Sequence, residues 1–222
     1  VDSAPPAFST WMEQAALDEL RSQGVRRPFR TGTRLFRQDD PHGSVFLIES
    51  GLVTVSVADA DGTELIVGIY GRGELMCEVS AVEKSPRSAS GVGRRPGFVT
   101  EIPGSAFRAF TVRHPQAMRY LLTAVRLRLQ RAEQARLTQL SVDVLGRVAQ
   151  TLLSWAESFG RTGPSHITIT GFSRRELAQT VGASPKSVDA ALARLTSDGV
   201  VRTGRLLFVL RDLPRLRALV ER

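Results

Sequence analysis

Cysteine is nearly absent from this 222-residue chain, with Cys77 standing alone. A single thiol cannot close an intrachain disulfide, nor can it hold an iron–sulfur cluster, which needs several thiolates. Long apolar runs are missing as well. No stretch of about 18 apolar residues offers a membrane span, and the opening VDSAPPAFSTWMEQ has neither the basic start nor the apolar centre of a secretory signal. A cytoplasmic protein with no membrane partner is the expectation. Catalytic signatures are lacking too: there is no Gly-x-Ser-x-Gly elbow, no Walker loop and no His-Glu-x-x-His zinc pattern. Neither an enzyme nor a metal site is expected. Negative charge is also short, since 30 Lys and Arg face 22 Asp and Glu, giving a net charge of +8 and an isoelectric point near 11.0.

That excess points to a polyanionic partner, because Lys and Arg that neutralise phosphates release condensed counterions. It is concentrated late in the chain: from Val144 onward there are twelve Lys and Arg against six Asp and Glu. Arg-rich proteins without nucleic-acid roles share such compositions, so motifs must carry the inference. The length suggests two domains, at roughly 100–150 residues each.

Residues 10 to 24 read as helical, with Leu17 and Leu20 on one face and Gly24 as a stop. From Phe29 to Ile102 the pattern is β. Val45-Phe46-Leu47-Ile48 forms a run, Val53, Val55 and Val57 alternate with Thr54 and Ser56, and Asp61-Gly62 suggests a hairpin turn into Leu65-Ile66-Val67. Glycines punctuating many short strands favour a small closed β unit over a parallel sheet. A long helix is expected over 115–140, about 39 Å in length. Along it Met118, Leu122, Val125, Leu129 and Ala132 recur at alternating steps of four and three, the spacing of a two-stranded seam. Either that stripe builds a homodimer or it packs on its own β domain.

Ser173-Arg-Arg-Glu176 is a capping box that starts a helix with Leu177, Ala178 and Val181 on its apolar face. Gly182 supplies a tight turn. Ser184 then caps a second helix with Pro185 at its first position and Val188, Leu192 and Leu195 inward, and Gly199 ends it. Val200-Val201-Arg202, a Thr203-Gly204 turn and Leu206 to Leu210 follow as a β-hairpin wing. The order of these cues makes a winged helix-turn-helix.

With those motifs in place the chain resembles the catabolite activator and FNR (CRP/FNR) family of bacterial regulators over nearly its whole length. Three stretches carry the likeness: GELMCEVSAVEKSPRSA from Gly73 to Ala89, SVDVLGRVAQTLLSWAE from Ser141 to Glu157, and SRRELAQTVGASPKSVDAALARL from Ser173 to Leu195. The resemblance implies an α+β chain. Residues 1–143 would hold a cyclic-nucleotide-binding-like β-roll, or jelly-roll barrel, with the long dimerisation helix, and residues 144–222 a winged helix-turn-helix that binds DNA. It implies a palindromic double-stranded operator, a second copy of the chain and RNA polymerase as partners, with cyclic AMP or cyclic GMP as a candidate effector.

In the family's phosphate cassette, Arg87 would bind the phosphate, Ser88 would add a hydroxyl donor and Glu78 would accept from a ribose 2′-hydroxyl; a guanidinium with helix N-terminal amides suits an anion in general. Arg128 falls where the family has a cation facing the pocket. Bland alternatives stay open, in which Glu78 and Arg87 pair only with each other and Ser88 caps a turn. Departures from the pattern are plain. The glycine before the glutamate is Cys77, the loop to Arg87 is one residue shorter, and the Thr-Ser pair that meets adenine is Ala132-Glu133. The haem-binding branch of the family also has a cysteine at about this place but adds a histidine two residues later, where this chain has Val79. The histidines at 42, 114 and 166 show no paired axial-ligand spacing, so haem is not expected and Cys77 reads as a structural thiol.

On the recognition helix, the family's Arg-Glu pair and later Arg become Pro185, Lys186 and Ala190. Lys186 could donate to guanine or to a phosphate, and Ala190 offers an apolar contact to a thymine methyl. Ser173, Arg174, Arg175, Ser184, Ser187 and Arg205 are placed for phosphates. A different half-site from that of the cyclic-AMP receptor follows. Two alternatives remain at this point: a cyclic-nucleotide module acting on a protein partner, and an effector-independent regulator with a degenerate pocket.

Overall fold

The computed structural model describes residues 7–41 and 43–220, with nothing said of the side chain of Leu140. The chain divides into two compact units, one up to Ala132 and one from Glu133.

The first unit opens on α1 (Phe8–Trp11) and α2 (Gln14–Ser22). These two short helices replace the continuous one expected over 10–24. Strands follow as β1 (Val25–Phe29), β2 (Arg34–Phe36), β3 (Ser44–Ala58), β4 (Glu64–Tyr70) and β5 (Leu75–Met76), then α3 (Glu78–Glu83), β6 (Ser90–Pro103), α4 (Gly104–Arg113) and α5 (Pro115–Ser141). The sheet thus starts four residues before Phe29. β1 is an exposed edge strand whose Arg26, Arg27 and Pro28 hide it from an alternation search, and proline is tolerated only at such an edge.

The sheet is antiparallel, in the order β1-β6-β3-β4, with β2 on β6 and β5 on β3. β3 and β6 pair along almost their whole lengths, with register shifts between Ile48 and Val53. The bend there depends on Gly51, at φ +87°, where an added Cβ would stand 2.5 Å from the Arg95 carbonyl oxygen. Because the long strands bend, one sheet encloses its own core of Phe29, Phe36, Phe46, Ile48, Val53, Val55, Met76 and Val99. Val45 and Leu47, on the opposite face of the same strand, pack with Leu75 and Ile102 against Phe8, Leu17 and Leu20 of α1 and α2 and Phe107 and Phe110 of α4. The unbroken apolar run 45–48 is therefore a strand buried on both faces.

α5 buries Ala117, Tyr120, Leu121 and Ala124 in this second core. Its other face carries Leu122, Val125 and Leu129, which are 68%, 43% and 58% exposed. Met118 alone of the expected seam packs on the unit's own core.

The second unit contains α6 (Val144–Phe159), β7 (Arg161–Thr162), β8 (Ile167–Thr170), α7 (Arg174–Val181), α8 (Pro185–Ser197), β9 (Val201–Gly204), β10 (Leu207–Leu210) and α9 (Leu213–Val220). The Asp143 side chain caps α6 by accepting from the Gly146 amide. Leu152 and Trp155 anchor the core, with the Trp155 ring stacked 4.4 Å from Phe172. The sheet runs β7-β8-β10-β9, so the wing is four-stranded. Its hairpin turn lies at Arg205-Leu206 and not at Thr203-Gly204: Gly204 pairs with Leu207, and Leu206 takes φ 53° while its carbonyl accepts from the Gly171 amide at 2.8 Å. That tertiary bond holds a leucine where a glycine would be easier.

Candidate functional site

A cavity of about 280 Å³ opens beside α3, close to the small end of ligand clefts. Phe36, Val55, Tyr70 and Met76 give it an apolar wall; Cys77, Glu78, Val79, Arg87 and Ser88 come from α3 and its flanks, and Val125 and Arg128 from α5. Cys77 is the residue before α3 and adopts the left-handed conformation, φ 66° and ψ 16°. Burial pushes its thiol up to about 12, so it is neutral at ordinary pH.

Arg87 is buried, at 7% exposure. Its Nη2 donates to the Ser44 carbonyl at 3.0 Å, and its guanidinium lies 5.2 and 5.4 Å from the ring centres of Phe36 and Phe46. Its Nη1 is buried without a hydrogen-bond partner. Such a donor suits an anionic oxygen, the feature that a nucleotide phosphate would supply. Glu78, 2% exposed, forms an ion pair with Arg128 at 2.6 Å. The guanidinium of Arg128 also stands 5.7 Å from the Tyr70 ring. The partner of Glu78 is therefore Arg128 and not Arg87. The carboxylate, with Tyr70 and Tyr120, holds Arg128 above its ordinary pKa against the opposing effect of burial.

In the second unit the expected helix-turn-helix is assembled from local bonds. The Glu176 amide donates to Ser173 Oγ at 3.2 Å, and the Ser173 amide donates to Glu176 Oε2 at 2.8 Å. Gly182 closes α7 at φ 65°, a conformation open to glycine at little cost. Ser184 Oγ accepts from the Ser187 amide at 3.1 Å and lies 2.8 Å from Ser187 Oγ, with Pro185 in the first turn of α8. Val188, Leu192 and Leu195 are buried, whereas Lys186, Asp189 and Ala190 are exposed on the outer face. Arg174 donates to Asp189 at 3.3 Å and to Thr203 Oγ1 at 2.8 Å, tying α7 to both α8 and the wing.

Residues 26–114 match the family model of a cyclic nucleotide-binding domain, and residues 146–219 match that of a Crp-like helix-turn-helix domain. The chain belongs to the CRP/FNR family of transcription regulators. It is 28% identical over 206 residues to the CRP-like cAMP-activated global transcriptional regulator of Mycobacterium tuberculosis, covering 92% of each chain. It is 29% identical over 198 residues to the transcriptional activator protein anr of Pseudomonas aeruginosa, covering 88% of this chain and 80% of that one. The solved c-di-GMP responsive global regulator CLP of Xanthomonas campestris superposes with a TM-score of 0.78 at 26% identity, covering 90% of this chain and all of the other. The CRP/FNR chain is thus a DNA-binding transcription regulator.

Of the effector residues named from this CRP/FNR sequence, Cys77, Glu78, Val79, Arg87, Ser88 and Arg128 line one cavity. Ala132 and Glu133 are exposed on α5 and are not among its walls. Of the DNA-contact residues, Arg175, Lys186, Ala190 and Arg205 are exposed, while Ser173, Arg174, Ser184 and Ser187 also make the caps and cross-links above. Three features escaped the sequence reading. Phe36 and Tyr70 fall unmarked within the β-patterned stretch 29–102 yet line the cavity, Asp189 stands on the outer face of α8 bound to Arg174, and Arg202 is exposed on the wing strand β9. Alternation along Val201-Arg202 carried a signal for the last of these. His42 lies outside the described residues, and among those described no group of His, Cys, Asp and Glu is arranged for a metal. No described helix is long and apolar enough to cross a membrane.

Proposed function

We propose that this chain is a cytoplasmic, homodimeric regulator that reads a palindromic DNA operator through α8 and answers to a cyclic nucleotide bound in the α3 cavity. The DNA half rests on the outer face of α8, where Lys186 and Ala190 stand open beside a wing tipped by Arg205. Lys186 supplies a donor for a guanine edge, and Arg175 and Arg205 suit flanking phosphates. The effector half rests on the unsatisfied Nη1 of Arg87 in the cavity. Relatives described as cAMP-activated and c-di-GMP responsive support a cyclic phosphodiester as the ligand class. The Ala132-Glu133 pair lacks the hydroxyls that meet adenine, so cyclic GMP and cyclic AMP are both candidates. Residues 1–143 would sense and residues 144–222 would read, the ligand acting by favouring one disposition of the readers about Ser141–Asp143. RNA polymerase would be the machinery on which the bound regulator acts.

Selection from random duplex DNA, followed by fluorescence anisotropy, tests the reading. A palindrome with a half-site different from that of the cyclic-AMP receptor should emerge, and Lys186→Ala should weaken binding to it by about 1–3 kcal/mol with relaxed preference at one position. A uniform loss on all sequences with a shallower salt dependence would make Lys186 a phosphate contact. Failure to enrich any palindrome would remove the operator-binding reading.

A further inference from the structure

The recognition helix carries one carboxylate on a face otherwise suited to a polyanion. In α8, whose sequence from Pro185 is PKSVDAALARLTS, Asp189 is the sole acidic residue, and strands β9 and β10 of the wing have none. Val188, Ala191, Leu192 and Leu195 turn inward, which leaves Asp189 on the exposed side with Lys186 and Ala190. Lys186 and Asp189, three residues apart, are neighbours on that surface. Both lie in the first two turns of α8, the part of a recognition helix that meets base edges. Arg174, at the start of α7, fixes where the carboxylate stands: its Nη1 donates to Asp189 Oδ1 at 3.3 Å while its Nη2 donates to Thr203 Oγ1 of the wing at 2.8 Å. The second carboxylate oxygen, Oδ2, has no partner among the described residues. Both side chains keep 53% of their surface in solvent, and an ion pair so open to water adds little to stability. The pair is better suited to placing a carboxylate than to holding the fold together.

A carboxylate on a DNA-reading face is repelled by the phosphates of any duplex, and a hydrogen bond from a base edge is what offsets that repulsion. An ionised carboxylate can only accept. In the major groove guanine presents two acceptors and thymine one, and the adenine amino group sits beside the N7 acceptor of the same base; cytosine offers its N4 amino group with no acceptor next to it on that base. We propose that Asp189 is a base-reading residue: its open carboxylate oxygen accepts from cytosine N4 at one position of each half-site and disfavours guanine and thymine there by repulsion. The proposal rests on α8 being the element that reads the operator. It makes the half-site the joint product of two neighbours of opposite character, Lys186 donating and Asp189 accepting, and it adds rejection of wrong bases to attraction for the right one.

Selection of the full chain on random duplex DNA, without ligand and with cyclic AMP or cyclic GMP, tests this in the unaltered protein, Asp189→Ala and Asp189→Asn. Fluorescence anisotropy on the enriched site and its single-base variants then measures each preference. The unaltered chain should favour cytosine at one half-site position by about tenfold or more over guanine and thymine. Asp189→Ala should level that preference to about twofold or less while the other positions keep theirs. Asp189→Asn, whose amide offers a donor beside its acceptor, should shift the same position toward adenine. An unchanged preference at every position in Asp189→Ala would overturn the proposal and leave α8 reading through other side chains. An equal loss on all duplexes would reduce Asp189 to a brace for Arg174, and an equal gain on all of them would reduce it to a source of phosphate repulsion; either result overturns base reading. Failure of the unaltered chain to enrich any sequence, with or without nucleotide, would remove the reading by α8 and the proposal together.

Discussion

Replacing Arg128 by alanine should destabilise the first unit by about 2–3 kcal/mol, lowering its unfolding midpoint by roughly 5–10 °C. Glu78 is 2% exposed, and the guanidinium 2.6 Å away is its partner ion. Breaking a buried pair from one side leaves a charge without water or counterion, which costs about 3–5 kcal/mol when both ions are sequestered. The lower figure applies because the Arg128 side chain keeps 32% of its surface in solvent, so water can partly replace it. Loss of the guanidinium's contact with the Tyr70 ring adds a smaller amount. Replacing both ions together, as Glu78→Gln with Arg128→Met, should recover much of the loss, and a double-mutant cycle should give a coupling of about 1 kcal/mol or more. Thermal unfolding followed by circular dichroism measures the unaltered chain, Arg128→Ala, and the two single variants and the double variant of the cycle. An unchanged midpoint for Arg128→Ala would mean that solvent reaches Glu78 in solution.

The contrast between the two units says what a sequence displays. The helix-turn-helix was legible because its punctuation is local: Ser173 and Glu176 cap one helix within four residues, Gly182 ends it, and Ser184 with Pro185 starts the next. The wing turn was misplaced because the nearest glycine is the best local guess, whereas the actual turn is fixed from the other side of the sheet by the bond from the Gly171 amide to Leu206. α4 escaped because only Phe107 and Phe110, one turn apart, mark its buried face, too brief a pattern to separate from the end of a strand. The cavity shows the same division. Its cassette could be placed by its resemblance to the family's, but the pairing of Glu78 with a residue fifty positions away, and the binding of Arg87 to the Ser44 carbonyl, depend on how a bent sheet brings distant segments together.

Replacing Leu122 and Leu129 together by glutamate should halve the molecular mass seen by light scattering and reduce affinity for a palindromic operator by about 100-fold or more. The two leucines are 68% and 58% exposed, and Val125 between them 43%. Ala117, Tyr120, Leu121 and Ala124 on the opposite face already fill the contact of α5 with its own unit. The apolar stripe is therefore left over after the chain has packed, and a second copy of the same stripe at the spacing of four and three is the surface that fits it. Two glutamates on each helix would bring like charges together across that seam while touching nothing in the monomer's core. The operator argument follows from geometry. Half-sites about 34–36 Å apart are read by two helices fixed in one assembly, and a monomer keeps only the contacts of one. Loss of the dimer with an unchanged circular dichroism spectrum would assign the interface to α5. An intact dimer in the double variant would move the interface to another surface, and full operator affinity in a monomeric variant would mean that one copy of α8 suffices for recognition.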